Sequence, residues 1–156
     1  MGKVNDERLE RILEIYEKPW RFLQSAETDY PLVHGVFLVG EAQYATVPVK
    51  HLTGIQAQAC MNQLSYVAFA EWILENRFHD IQMTFEQYLR CMREQMLIAE
   101  TDTQIRFRDK ISTGQPIDVA GTLDRFRKHK DNFYAFMKYD FQGGKAEGSM
   151  LLVLQK

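Results

Sequence analysis

The stretch HLTGIQAQACMNQLSYVAFAEW, residues 51–72, decides how the rest of the chain must fold. From His51 to Ala70 it holds no Asp, Glu, Lys or Arg, yet Gln56, Gln58, Asn62, Gln63 and Ser65 interrupt an otherwise apolar run. Thr53 before Gly54 is a helix N-cap, and the pattern predicts a helix to about Arg77. Such a helix is apolar on nearly every side, so it must be enclosed on most of them. Gln58, Asn62 and Ser65 fall at i, i+4 and i+7, a polar stripe along one face. A buried amide left unpaired costs about 1–3 kcal/mol, so each of these needs a partner or a purpose.

What could enclose this helix lies downstream. Ile105 and Phe107 alternate with Arg106 and Arg108. Ile117, Val119, Gly121 and Leu123 alternate with polar or small residues, and Phe133, Ala135, Met137 and Tyr139 form another alternating set. SMLLVLQK closes the chain after the turn FQGGKAEG. These predict a meander of four antiparallel strands with one wet face. Thr84 with Gln87 is a capping box for a helix near 84–98. Upstream, LVHGVFLVGEAQYATVPVK reads as extended, broken by Gly35, Gly40 and Pro48. Leu9, Ile12, Leu13, Tyr16, Trp20 and Leu23 keep helical spacing, which predicts an amphipathic helix over 5–25. The order fits an antiparallel sheet wrapped around one central helix, an α+β hot-dog fold, with a cystatin-like roll as the competing arrangement. A chain of 156 residues reads as a single domain, 1–156, with 1–28 as an N-terminal helical extension.

Composition narrows the function. A formal net charge of −2 argues against a dedicated nucleic-acid binder, and 46 % hydrophobic with 26 % charged residues is ordinary for a soluble globular chain. The amides in the long helix argue against a membrane span, and the charged N-terminus lacks the apolar core of a signal peptide, so a cytoplasmic protein is expected. Cys60 and Cys91 read as reduced thiols, and no Cys/His spacing suggests a metal. No metal and no cofactor are expected.

The candidate site gathers at the start of the long helix. Its N-terminal N–H groups, beginning at Gly54, suit a developing oxyanion. Asn62 is a neutral donor able to hold a water or polarise a carbonyl. His51, just before the helix, is a candidate base, with a surface-loop role as the alternative. Tyr44 is a further hydrogen-bond donor. Gln58, Ser65, Tyr66, Phe69 and His34 are candidate substrate contacts; Tyr66 and Phe69 are equally core residues, and His34 equally a strand residue. The basic run RFRKHK offers Arg125, Arg127 and Lys128 as a patch for phosphates of coenzyme A or for an acidic carrier protein, or simply as a solvated strand face.

The segment EAQYATVPVKHLTGIQAQACMNQLSYVAFAEW, with the sheet-forming half after it, resembles the FcoT-like thioesterases. The likeness runs from about residue 30 onward. It implies a hot-dog homo-oligomer, a dimer or trimer of dimers, acting on a fatty acyl thioester carried by coenzyme A or acyl carrier protein. It also implies a second possibility, associated with isonitrile lipopeptide biosynthesis: addition of glycine to the β-carbon of an α,β-unsaturated acyl group on a carrier protein. By this resemblance Tyr44 and Asn62 are the site positions. Many hot-dog thioesterases use an Asp or Glu on or near the central helix, and this helix has none before Glu71. Dehydration, and an anhydride route through a helix carboxylate, are therefore disfavoured. Helix N–H groups and neutral donors remain, serving either hydrolysis or conjugate addition. A non-catalytic acyl-binding module is the third reading.

Overall fold

The computed structural model describes residues 1–42, 46–94 and 98–155. Its centre is the helix α2, Gly54–Leu74. The capping box forms: the Thr53 hydroxyl accepts from Gln56 N–H, and Gln56 Oε1 accepts from Thr53 N–H at 3.2 Å. Residues Ala57, Cys60, Met61, Leu64, Val67, Ala68 and Phe69 are completely buried.

A seven-stranded antiparallel sheet wraps this helix. Its strands are β1 (Gly2–Lys3), β2 (Leu23–Asp29), β3 (Leu32–Leu38), β4 (Ile98–Phe107), β5 (Pro116–His129), β6 (Asn132–Phe141) and β7 (Ala146–Gln155), in the order β1-β2-β3-β5-β6-β7-β4. This is the hot-dog arrangement and not the roll. Register shifts between Leu23 and Ser25, Glu100 and Asp102, and Leu123 and Arg125 bend the strands around the helix. Two glycines let sheet and helix approach. A Cβ at Gly35 would stand 2.7 Å from Leu64 Cδ1, and one at Gly148 would overlap Met61 Sδ.

Two expectations are corrected. The helix expected over 5–25 ends early: α1 is Asp6–Leu13, a 3₁₀ turn spans Lys18–Trp20, and β2 begins at Leu23. Pro19 cannot donate the helical hydrogen bond, and Gln63 captures the N–H groups of Phe22 and Leu23 at 3.0 Å each. Residues 1–28 thus contribute β1 and most of β2 to the sheet. The four-stranded meander is instead three strands, β5–β6–β7. β4 pairs with β7 at the edge because the long loop from Arg108 to Gln115 carries the chain across to β5, beside β3. The helix α3, Phe85–Glu94, starts from Thr84 and Gln87, whose side chains bond each other's N–H groups at 2.7 and 3.3 Å.

Packing accounts for two of the four amides on the central helix, Gln56 and Gln63, and for Ser65. Gln63 Oε1 takes two backbone N–H groups while its Nε2 donates to Trp20 O at 2.6 Å. A carboxylate accepts but does not donate, and its charge would be buried, so only an amide satisfies this corner. Gln56 donates to Gly40 O at 3.0 Å, and Ser65 bonds Met61 O and the Tyr139 hydroxyl. Glu71, the first carboxylate of the helix, is engaged as well: Arg8 Nη1 of α1 meets both its oxygens at 2.8 Å.

Candidate active site at the start of the central helix

The N-terminus of α2 opens into a cleft of about 680 Å³ lined by His51, Leu52, Thr53 and Gly54 on one side and by Phe107 to Ile111 on the other. The sequence builds both walls. His51 forms an isolated antiparallel bridge with Ser112, and Leu52 N–H donates to Ile111 O at 2.8 Å, so the approach to the helix is laced to the segment after β4. At the helix start the N–H of Gln56 is taken by Thr53, while those of Gly54 and Ile55 occupy the first two positions, which have no intrahelical acceptor. The helix dipole adds positive potential there, with no acidic residue in the first turn to offset it. Such a terminus stabilises negative charge developing on an oxygen.

The cleft brings together His51 and Gly54 from the expected set. It also adds a residue that the sequence reading missed. Asp109 lines the opposite wall, so a carboxylate reaches the cleft from a loop although α2 supplies none. Its position two residues beyond an alternating strand, in FRDK, was the available signal. Arg108 and Lys110 flank it; Arg108 is held by Glu147 at 2.9 Å, while Lys110 is exposed. Tyr44 lies outside the described residues.

Asn62 lies two turns into the helix, about 12 Å along its axis from Gly54. It is half-buried and makes no hydrogen bond among the described residues, unlike Gln56, Gln63 and Ser65. With Ile55, Ala59 and Tyr66 it forms the one stripe of α2 from which the described protein withholds full cover; Ile55 is 56 % exposed and Gln58 is half-buried beside it. Glu71 is a further nine residues on, about 14 Å, and tied to Arg8.

Other candidates lie elsewhere. Phe69 is fully buried in an aromatic cluster with Trp72 and Phe78, at 5.6 and 5.8 Å between ring centroids. Ser65 is buried against Tyr139. Tyr66 packs edge-on to Tyr16, and its carbonyl accepts from Tyr88. His34 sits on the outer face of β3, 3.3 Å from Asp118. Burial pushes the Cys60 thiol well up, so the thiolate is suppressed. Among the described residues no cluster of His, Cys, Asp or Glu is arranged to hold a metal, and no helix is long and apolar enough to cross a membrane.

Comparison with known proteins gives the family and the fold. Residues 11–154 match the FcoT-like thioesterase domain. Over 109 residues the chain is 30 % identical to the (2E)-enoyl-[ACP] glycyltransferases of Mycobacterium tuberculosis H37Rv and Mycobacterium bovis, a match spanning 66 % of this chain and 59 % of theirs. Among solved structures, thioesterase superfamily member 2 from Mus musculus shares the fold with a TM-score of 0.57 at 12 % identity, covering 99 % of this chain and 98 % of that one. A mutant thioesterase from Pseudomonas aeruginosa does so with a TM-score of 0.58 at 6 % identity, covering 98 % and 96 %. At these identities the structures establish the hot-dog fold.

Proposed function

Because the chain belongs to the FcoT-like thioesterase family, we propose that it hydrolyses a fatty acyl thioester, on coenzyme A or acyl carrier protein, in the cleft at the start of α2. The observation that carries this reading is the first turn of α2, with Gly54 and Ile55 N–H groups at its open positions, facing a cleft that also holds His51 and Asp109. The thioester oxygen accepts from the helix N–H groups. Water attacks the carbonyl carbon, giving its proton to His51 or Asp109, and the C–S bond breaks as the thiol leaves with a proton from the same base. Asn62, about 12 Å along α2 from Gly54, is too far to meet this carbonyl within one chain; it acts as a neutral donor where a second copy brings its own half-covered stripe to the cleft, and Tyr44 adds a second donor.

A second reading draws on the Mycobacterium relatives, which are named (2E)-enoyl-[ACP] glycyltransferases: transfer of glycine to a carrier-bound enoyl group, which we read as addition at its β-carbon. The amine attacks the β-carbon, the electron pair moves through the α-carbon to the thioester oxygen, and reprotonation at the α-carbon restores the thioester. Both reactions build negative charge on the same oxygen, so one helix terminus serves either. The half-covered stripe Ile55, Ala59, Asn62 and Tyr66 supports a homo-oligomer, a second copy covering this face.

Mass spectrometry of carrier protein loaded with saturated or α,β-unsaturated acyl groups, with and without glycine, tests the reading. Loss of acyl group from both, regardless of glycine, is the expected result. A glycine-dependent mass gain on the unsaturated thioester alone establishes the second reading. No change on any carrier or coenzyme A thioester overturns both.

A further inference from the structure

We propose that a cleft on the outer face of the sheet, built by Arg125, Arg127, Tyr134, Phe136 and Leu151, is the docking surface for an acidic carrier protein. The inference rests on the reading that the substrate is a carrier-bound thioester.

A break in strand alternation creates this cleft. Through Leu123, the odd-numbered residues of β5 face the helix; the register shift between Leu123 and Arg125 then turns Phe126 inward, where it stacks on Phe78 at 4.4 Å. Arg125 and Arg127 therefore both face outward. Lys128, the third member of the expected patch, lies on the inward-facing side of the strand, over the Phe133 ring and 3.9 Å from Asp80. The structure divides the basic run between two faces.

What remains outside has the composition of a protein-binding surface: two arginines over two aromatics and a leucine, around a shallow space of about 260 Å³. Its charge is unbalanced. Asp124, the neighbouring carboxylate, is shared with Lys138 at 3.1 Å and Arg125 at 3.4 Å, and Arg127 has no carboxylate within salt-bridge distance among the described residues. Two cations about 7 Å apart along a strand suit carboxylates at i and i+4 on a helix, which stand about 5–6 Å apart. The aromatic faces argue against a nucleotide. Phe136 already lies beneath Arg125 at 5.2 Å and Lys138 at 5.9 Å, and His129 meets Tyr134 at 6.5 Å, so a base finds no open ring on Phe136 to stack upon. Instead the ring holds the Arg125 guanidinium in place for a carboxylate. Phe136 is three residues along β6 from Tyr139, about 10 Å, and the Tyr139 hydroxyl meets Ser65 of α2. The cleft thus lies across the sheet from the middle of the central helix.

Fluorescence anisotropy with a labelled bacterial fatty-acid acyl carrier protein in its apo form, lacking both arm and acyl group, tests the surface alone. The wild type is expected to bind it, and Arg125→Glu with Arg127→Glu to weaken binding roughly tenfold or more. Lys128→Glu, on the other face, should change it less than about threefold. Turnover of an acyl N-acetylcysteamine thioester, which has no carrier, should be unchanged in the double variant. Equal binding by wild type and double variant, equal loss in Lys128→Glu, or no carrier binding by the wild type overturns the proposal. A raised KM for acyl-coenzyme A with unaltered carrier binding also overturns it, assigning the cleft to coenzyme A. Carrier binding without turnover of any thioester leaves the surface standing and overturns the proposed activity instead.

Discussion

Replacing Gln63 by Leu isolates what a buried amide contributes to this fold. The substitution keeps the approximate size but removes three hydrogen bonds, from Phe22 and Leu23 N–H at 3.0 Å and to Trp20 O at 2.6 Å. Gln63 is fully buried, so solvent does not readily replace them. Three stranded backbone groups at about 1–3 kcal/mol each give a gross loss near 6 kcal/mol. Burying leucine at the same place returns about 1–2 kcal/mol. The net expectation is a destabilisation of about 4 kcal/mol. For a chain of this size that corresponds to a Tm lower by roughly 8–16 °C, on a scale of about 2–4 °C per kcal/mol. Urea unfolding followed by circular dichroism measures it, with an unchanged slope confirming that the loss lies in stability. A loss below about 1 kcal/mol would refute the argument that this amide fixes the entry to β2.

Four other substitutions test the site and the scaffold around it. Asn62→Ala should lower turnover of a thioester at least about tenfold with under about 1 kcal/mol of stability, whereas Ser65→Ala should show the reverse; parallel kinetics and urea melts decide between them. Glu71→Gln should cost about 1–2 kcal/mol, because Arg8 is 39 % exposed and solvent screens the pair, while leaving kcat unchanged. Glu147 is held below the usual carboxylate range chiefly by its hydrogen bond from Arg108. A depressed folded-state pKa means its contribution is complete above the ordinary carboxylate range and is lost as pH falls through the lowered value. Melting temperature against pH should therefore show a shallower acid limb in Glu147→Gln than in the wild type, the two curves converging at low pH and running parallel, with the wild type higher, above the ordinary carboxylate range.

The central helix was legible because its signals are local: a Thr53–Gln56 capping box, no charge for twenty residues, and apolar cover all round. The enclosing sheet followed from the alternation of β5, β6 and β7. What the sequence concealed depends on distant partners. Leu9 to Leu23 keeps helical spacing, and only Gln63, some forty residues on, shows why the chain turns into a strand. β4 resembles the first strand of a meander until β7 claims it. The register shift after Leu123 reverses the alternation, so neighbouring basic residues that read as one patch face opposite ways. At the site, His51 and Gly54 were visible beside the helix cap. Asp109 was not, because only the tertiary lacing of Leu52 to Ile111 brings that loop to the cleft.

A crystal structure with a non-hydrolysable acyl analogue, in which a methylene replaces the thioester sulfur, tests the site most directly. The carbonyl oxygen is expected within hydrogen-bonding distance of the Gly54 or Ile55 N–H, with His51 or Asp109 on the side from which water approaches. A carbonyl bound away from the start of α2, with those N–H groups unused, would contradict the assignment.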